Sequence, residues 1–191
     1  MEVNIHQMNH TPVPLVIAFT PDYFIPAATC LYSIFENMRP DGQLHVICLL
    51  GGELPERLRQ KIQVIGGQCA RYSFVNLQGR LQDIYVDAKY TEAASYRLLL
   101  PDLLPEYDKV IYIDCDVIVR NDLVGLYHSV ELGRNYLAAV FEAPLEFQME
   151  RFKAIGCDPM EYINSGFLIM NLKQMRRDKM VDKFLEASKA D

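Results

Sequence analysis

Apolar runs of strand length alternate with stretches of helical period along most of this chain. Residues 15–20 (LVIAFT) form the first run and end at Thr20-Pro21-Asp22-Tyr23. Ile25-Pro26 predicts a helix start, because proline loses nothing where its missing N–H has no partner. Ala28, Leu31, Tyr32 and Phe35 supply an apolar face that lasts to about Met38. Pro40-Asp41-Gly42 marks a turn, and residues 44–50 (LHVICLL) read as a second buried strand. A helix over 54–65 follows: Leu58, Ile62 and Ile65 share a face, Arg57, Arg59 and Lys61 face water, and Gly66-Gly67 stops it. Residues 71–76 alternate as a third strand, whereas 77–92 show no strong period and read as a loop or short helix.

Residues 91–104 have helical spacing, with Pro101 breaking or restarting the helix. Residues 109–113 (KVIYI) then predict a strand buried on both faces. It runs into Asp114-Cys115-Asp116, after which Asn121 or Asp122 is placed to cap a short helix. Residues 136–141 predict another strand, and 144–154 an amphipathic helix. Residues 167–172 are a further apolar run, preceded by Ile163-Asn164-Ser165-Gly166. A basic-faced helix over 172–189 turns Met175, Met180, Phe184 and Leu185 inward. Strands alternating with helices define an α/β class, with a mostly parallel central sheet flanked by helices. Ligands in such sheets sit at the carboxyl ends of strands, near the point where strand order reverses. Residues 20–23 and 114–116 both fall at carboxyl ends and are expected to face one pocket.

Composition narrows the chemistry. At 191 residues the chain suits one domain, and 50% hydrophobic with 23% charged residues is ordinary for a globular core. A net charge of -6 and a pI near 5.2 argue against nucleic acid as a partner. The five cysteines, Cys30, Cys48, Cys69, Cys115 and Cys157, are scattered without C-x-x-C spacing and read as reduced thiols of a cytoplasmic protein. No apolar run is long enough to span a bilayer, and residues 1–14, with His6 and His10, do not have the form of a signal peptide.

Along an extended chain, Asp114 and Asp116 point one way and Cys115 the other. Two converging carboxylates repel each other unless a cation lies between them. Hard oxygen ligands suit Mn²⁺ or Mg²⁺, which also bridge to a diphosphate. Asp-x-Asp is a common tripeptide; the apolar strand before it and Val117–Val119 after it single this one out against a turn with two solvated acids. Neither G-x-G-x-x-G nor G-x-x-x-x-G-K-[ST] occurs, which excludes dinucleotide-binding dehydrogenases and P-loop NTPases. A bound diphosphate would then be held by metal and by a side chain such as Arg97. A strand followed by D-x-D-x also evokes aspartyl-phosphate phosphatases, but Ile118 departs from that signature and the motif lies in mid-chain. His6, His10, His45 and His128 match no ligand spacing.

The turn at residues 18–23, Ser95-Tyr96-Arg97, Tyr112-Ile113-Asp114-Cys115-Asp116 and Tyr162-Ile163-Asn164-Ser165-Gly166-Phe167 resemble glycosyltransferase family 8 in order and spacing. The likeness spans about 14–187, leaving 1–13 as an extension before the domain at 14–191. It implies a GT-A (nucleotide-diphospho-sugar transferase) fold and a retaining hexosyltransferase that uses Mn²⁺ or Mg²⁺. The donor would be UDP-glucose or UDP-galactose, and the acceptor a glycan or lipopolysaccharide-type, lipid-linked molecule. By the same resemblance, Ala18, Thr20, Asp22 and Tyr23 would grip uracil and ribose, and Arg97 would reach phosphate or sugar. Asp114, Cys115 and Asp116 would contact the donor, with Asp114 reaching ribose or sugar as well as metal and Asp116 being the firmer metal ligand. Asn164, Ser165 and Glu142 would line the sugar and acceptor pocket. Asp22 stands where many family members have Asn, and Glu142 where many have Asp. The chain stops before a D-Q-D-like segment and a late His ligand of the family. This form is therefore expected to bind UDP-sugar weakly, to turn over poorly, or to act as a non-catalytic nucleotide-sugar binder. Members of that family often carry basic, aromatic tails beyond the matching segment, which leaves association with the inner face of the membrane open for a protein otherwise expected in the cytoplasm.

Overall fold

β1 (Val13–Phe19) and β2 (Leu44–Leu50) are buried at every position, as strands covered on both faces must be. They belong to a six-stranded sheet of order β3-β2-β1-β4-β6-β5, with β3 at Ala70–Asn76, β4 at Lys109–Asp114, β5 at Leu137–Phe141 and β6 at Ile163–Asn171. The β1–β2, β2–β3 and β1–β4 pairs are parallel, and β6 is antiparallel to both of its neighbours. The chain thus grows outward from β1 through β2 to β3, then returns to the other side of β1. The expected mostly parallel sheet is present, and its order reverses between β1 and β4. The structure is a computed structural model that describes residues 11–81, 92–143, 145, 148–154 and 156–188. His6, His10 and most of the stretch 77–92 lie outside these residues, as does part of the helix expected over 144–154.

Strand alternation divides the interior into two cores. Leu15, Ile17, Val46, Cys48, Ile111 and Ile113 face α1 (Phe24–Glu36) and α2 (Glu56–Gln63). Val16, Ala18, Ile47, Leu49, Val110 and Tyr112 pack with Tyr96 and Leu100 on the other side. α3 (Glu92–Ser95), a 3₁₀ turn at Tyr96–Leu99 and α4 (Leu100–Leu103) replace the single helix expected over 91–104. Pro101 does restart the helix, since it lies in the first turn of α4. Asp122 caps α5 (Leu123–Ser129), accepting from the Val124 and Gly125 amides, and α6 is Met149–Ala154.

Two expectations need correction. α1 buries Ala27, Cys30, Leu31 and Ile34, while Tyr32 is 60% exposed. The helix is apolar on most of its circumference, so two faces have equal periodicity and packing on the sheet chooses between them. The helix expected over 172–189 is two helices, α7 (Leu172–Arg177) and α8 (Met180–Ala187). Lys179 breaks them with a left-handed backbone (φ 52°), and Asp178 accepts from Tyr136 Oη at 2.8 Å and from Gln174 at 2.7 Å. Among the described residues no helix is long and apolar enough to cross a membrane.

His45, at the start of β2, is 5% exposed and structural. Its Nδ1 accepts from Arg71 Nη2 at 2.8 Å and lies against Tyr107 Oη; its Nε2 meets Ser73 Oγ at 2.8 Å. An acceptor at Nδ1 makes the ring neutral, with the proton on Nε2 donated to Ser73. Burial, then the Arg71 guanidinium, holds the imidazole below its ordinary value against a smaller opposing pull from Glu106. Below about pH 6.5 the unfolded chain therefore binds a proton that the folded chain refuses, so stability is complete above that pH and falls as pH drops through it. The melting temperature should decline from pH 7.5 to 5.5, with His45 contributing at most ~1.4 kcal/mol per pH unit. His45→Gln should flatten the decline; a variant that keeps the full slope would clear His45 of this role.

Candidate functional site

The reversal of strand order leaves a crevice at the carboxyl ends of β1 and β4, the usual ligand position in such sheets. Ala18 pairs directly with Asp114 in the parallel register of β1 on β4. Beyond Ala18 the chain passes through Thr20, which is half-buried, into a 3₁₀ turn at Pro21–Tyr23. The Tyr23 amide closes that turn by donating to Thr20 O at 2.9 Å, which leaves Asp22 and Tyr23 exposed at the rim. Gly51 follows β2, its amide donating to Phe19 O at 3.1 Å, and Thr20 Cγ2 lies 3.0 Å from where a Cβ of Gly51 would stand. The two strand ends are thereby sewn into one wall.

Asp114 is the last residue of β4, and Cys115 and Asp116 lie in the turn beyond it. Alternation persists as far as Cys115, whose side chain enters the α1-side core. Burial, then Asp116 and Asp114 nearby, lifts the Cys115 thiol to about 11, so it is an inert packing group and its side chain is not the donor contact expected of it. Asp116 is exposed and makes no ion pair with any described residue. The segment after it is pinned to α1: the Val119 amide donates to Ser33 Oγ at 2.9 Å, and Asn37 Nδ2 donates to Val119 O at 3.1 Å.

Arg97 organises the other wall. Its Nε donates to Ala94 O at 2.6 Å, Nη2 to Asp114 Oδ1 at 3.0 Å, and Nη1 to Ser165 O. The guanidinium lies 4.5 Å from the centroid of the Tyr112 ring, and its side chain is 11% exposed. Three of its five N–H donors are thus engaged by the protein, leaving one on each terminal nitrogen among the described contacts. Tyr112 Oη donates to the same Asp114 Oδ1 at 2.8 Å. Burial raises that hydroxyl far above its ordinary value, keeping it a donor at any physiological pH.

Asn164, Ser165 and Gly166 belong to β6 itself, which begins at Ile163, ahead of the apolar run at 167–172. From Ala138 to Val140 is two residues on β5, whereas their partners Ile169 and Asn164 are five apart on β6. The resulting bulge takes Ser165 O out of the ladder and offers it to Arg97. Gly166 sits against Asp114: a Cβ there would lie 2.9 Å from Asp114 Oδ2 and 3.1 Å from Asn164 Oδ1. Asn164 Oδ1 in turn accepts from the Gly166 amide at 2.8 Å. Glu142 follows β5 and is exposed; its amide donates to Tyr162 O at 2.9 Å.

The structure therefore gathers Ala18, Arg97, Asp114, Asn164 and Ser165 at one place, with Thr20 on the adjoining wall. No side-chain contact among the described residues ties Asp22, Tyr23, Asp116 or Glu142 to that group. Tyr112 and Gly166 were missed as site residues. Tyr112 stands two residues before Asp114, so strand periodicity alone puts both on one face. Two hard carboxylates, one of them unpaired among the described residues, suit Mn²⁺ or Mg²⁺. No group of three or more His, Cys, Asp or Glu converges among the described residues, so phosphate and water oxygens or residues outside the description would complete the shell.

A mostly parallel sheet with its site at this switch point and an acidic pair ending the strand next to β1 is the GT-A architecture. Residues 14–191 match the family "Glycosyl transferase family 8", and the chain belongs to it. General stress protein A of Bacillus subtilis is 26% identical over 157 residues, 80% of this chain and 54% of that protein. Glycosyltransferase 8 domain-containing protein 1 of Bos taurus is 25% identical over 199 residues, 90% of this chain and 53% of that protein. The chain spans about half the length of the curated relatives it matches. A solved structure of galactosyltransferase LgtC, in complex with donor and acceptor sugar analogs, superposes with a TM-score of 0.76 at 28% identity, covering 93% of this chain and 65% of that one. The bifunctional glycosyltransferase WbbM shares the fold, with a TM-score of 0.77 at 22% identity over 96% of this chain and 35% of that one.

Because Oδ1 of Asp114 is tied to Arg97 and Tyr112, its carboxylate has little room to retreat. Gly166→Ala should therefore destabilise the chain by about 1–3 kcal/mol, the usual cost of overpacking. Urea denaturation measures this, and an unchanged midpoint would show that Asp114 swings freely.

Proposed function

We propose that this chain is the donor-binding part of a metal-dependent retaining hexosyltransferase. Its reaction moves glucose or galactose from a UDP-sugar to a glycan or lipopolysaccharide-type acceptor. The observation that carries the reading is the β1–β4 register, which sets Ala18 against Asp114 at the switch point. A nucleotide lying along the end of β1 would meet Ala18, Thr20, Asp22 and Tyr23 at its base and ribose. Its diphosphate would then reach Asp114 and Asp116, and its sugar the notch beside Gly166. Family membership and the 28% identity to LgtC, solved with donor and acceptor sugar analogs, support the same reading.

In this proposal Asp116, the firmer ligand, and Asp114 would hold Mn²⁺ or Mg²⁺, which would supply positive charge beside the departing diphosphate. Arg97 adds its two remaining N–H donors as charge builds on the leaving oxygens. Asn164 Nδ2 and Asp114 Oδ2 offer a donor and an acceptor for sugar hydroxyls. Ser165 and Glu142 border the side from which an acceptor would approach. The acceptor oxygen bonds to the anomeric carbon on the face that the phosphate leaves, and the departing phosphate oxygen takes the acceptor's proton, so configuration is retained. Asp114 is a poor candidate for a covalent nucleophile, because the guanidinium and the phenol on Oδ1 draw negative charge from the whole carboxylate and weaken Oδ2 as an attacking group.

Calorimetry with UDP, with and without Mn²⁺, tests the site, and UDP release from UDP-glucose and UDP-galactose tests turnover. The wild-type chain should bind UDP more tightly with Mn²⁺, and Asp116→Ala should lose that gain by about tenfold or more. Unchanged affinity in the variant would remove Asp116 from the site; no UDP binding by the wild type would sink the whole reading.

A further inference from the structure

Tyr112 has no role in the scheme above, yet it is a fully buried tyrosine whose hydroxyl ends on a functional carboxylate. A buried tyrosine hydroxyl normally finds a hydrogen-bond partner; this one meets Asp114 Oδ1 at 2.8 Å, the oxygen that Arg97 Nη2 also holds at 3.0 Å. Two donors on one oxygen fix both the torsion and the tilt of the carboxylate. The same ring carries the Arg97 guanidinium 4.5 Å from its centroid, so Tyr112 aligns the second donor as well as the acceptor. With Oδ1 saturated, only Oδ2 is presented, and it faces the notch floored by Gly166 and flanked by Asn164 Oδ1.

We infer that Tyr112 is a positioning residue: its hydroxyl locks Asp114 so that Oδ2 meets the sugar of the donor, and it thereby sets the preference for a nucleotide sugar over the bare nucleotide. The inference rests on the donor reading proposed above. Arg97 alone would leave the carboxylate free to rotate about its single remaining contact. The hydroxyl supplies the second anchor at the cost of burying one phenol, which needs no compensating charge.

Tyr112→Phe removes the hydroxyl and keeps the ring beneath Arg97, so Asp114 stays paired and the fold stays intact. At saturating Mn²⁺, where a loosened metal ligand no longer limits occupancy, calorimetry should give a UDP affinity within twofold of wild type. Affinity for UDP-galactose or UDP-glucose should fall by about tenfold, the loss expected when one hydrogen bond to a charged group is weakened. The ratio of the two affinities is the decisive readout, because a packing defect would weaken both ligands alike. Equal losses, accompanied by a lower melting temperature, would assign Tyr112 to packing and overturn the inference. So would unchanged affinity for both. If the wild-type chain binds neither ligand, the donor reading itself fails and takes this inference with it; binding by wild type with no change in the variant overturns the inference alone.

Discussion

One guanidinium ties the site together. Arg97 leaves the helical layer between α3 and α4 and reaches three other groups at once: Ala94 on its own segment, Asp114 at the tip of β4, and Ser165 in the bulge of β6. A rigid planar fork can satisfy three such acceptors, whereas an ammonium on a flexible stem could not hold the same geometry. Its burial against the Tyr112 ring makes the arrangement strict. A carboxylate left there without the cation would be partly desolvated and unpaired, which is far costlier than losing an exposed ion pair. The clamp joins the antiparallel part of the sheet, at β6, to the parallel part, at β4.

That clamp has meaning only because of the strand order. β1 lies between β2 and β4, so the connections from β1 and β4 lead on to strands in opposite halves of the sheet, the topology that favours a ligand site at those strand ends. Both walls of the cleft are ends of strands whose interiors are wholly buried, which gives them rigid footings. The alternation that sends Ile111 and Ile113 into one core sends Tyr112 and then Asp114 to the other face. A packing residue and a candidate ligand thus become neighbours by the pleat alone.

The acidic pair divides its labour. Asp114 is held by the protein on one oxygen and lies against glycine on the other, whereas Asp116 projects from the following turn with no described partner. The first suits precise presentation to a neutral or polar group, and the second suits an exchangeable cation. The residues after the pair are fastened to α1 by Ser33 and Asn37, so the turn carrying Asp116 has a fixed exit.

Strand positions and the acidic motif were legible in residue order because they depend on local rules. A buried parallel strand must be apolar at every step, and β2 was recognised at its full extent, 44–50, for that reason. β4 likewise declared itself, and with it the place of Asp114. What residue order left open was every choice between locally equivalent alternatives. α1 carries two apolar faces of the same period, and only the sheet beneath it selects Ala27, Cys30, Leu31 and Ile34. The break at Lys179 depends on Tyr136, more than forty residues earlier, reaching Asp178. The bulge of β6, the contact of Gly166 with Asp114 and the convergence on Arg97 are relations between segments far apart in the chain. Local chemistry determines which segments are strands and which residues could act; only the packing of distant segments decides which of those residues meet, because no short-range period encodes a contact across the sheet.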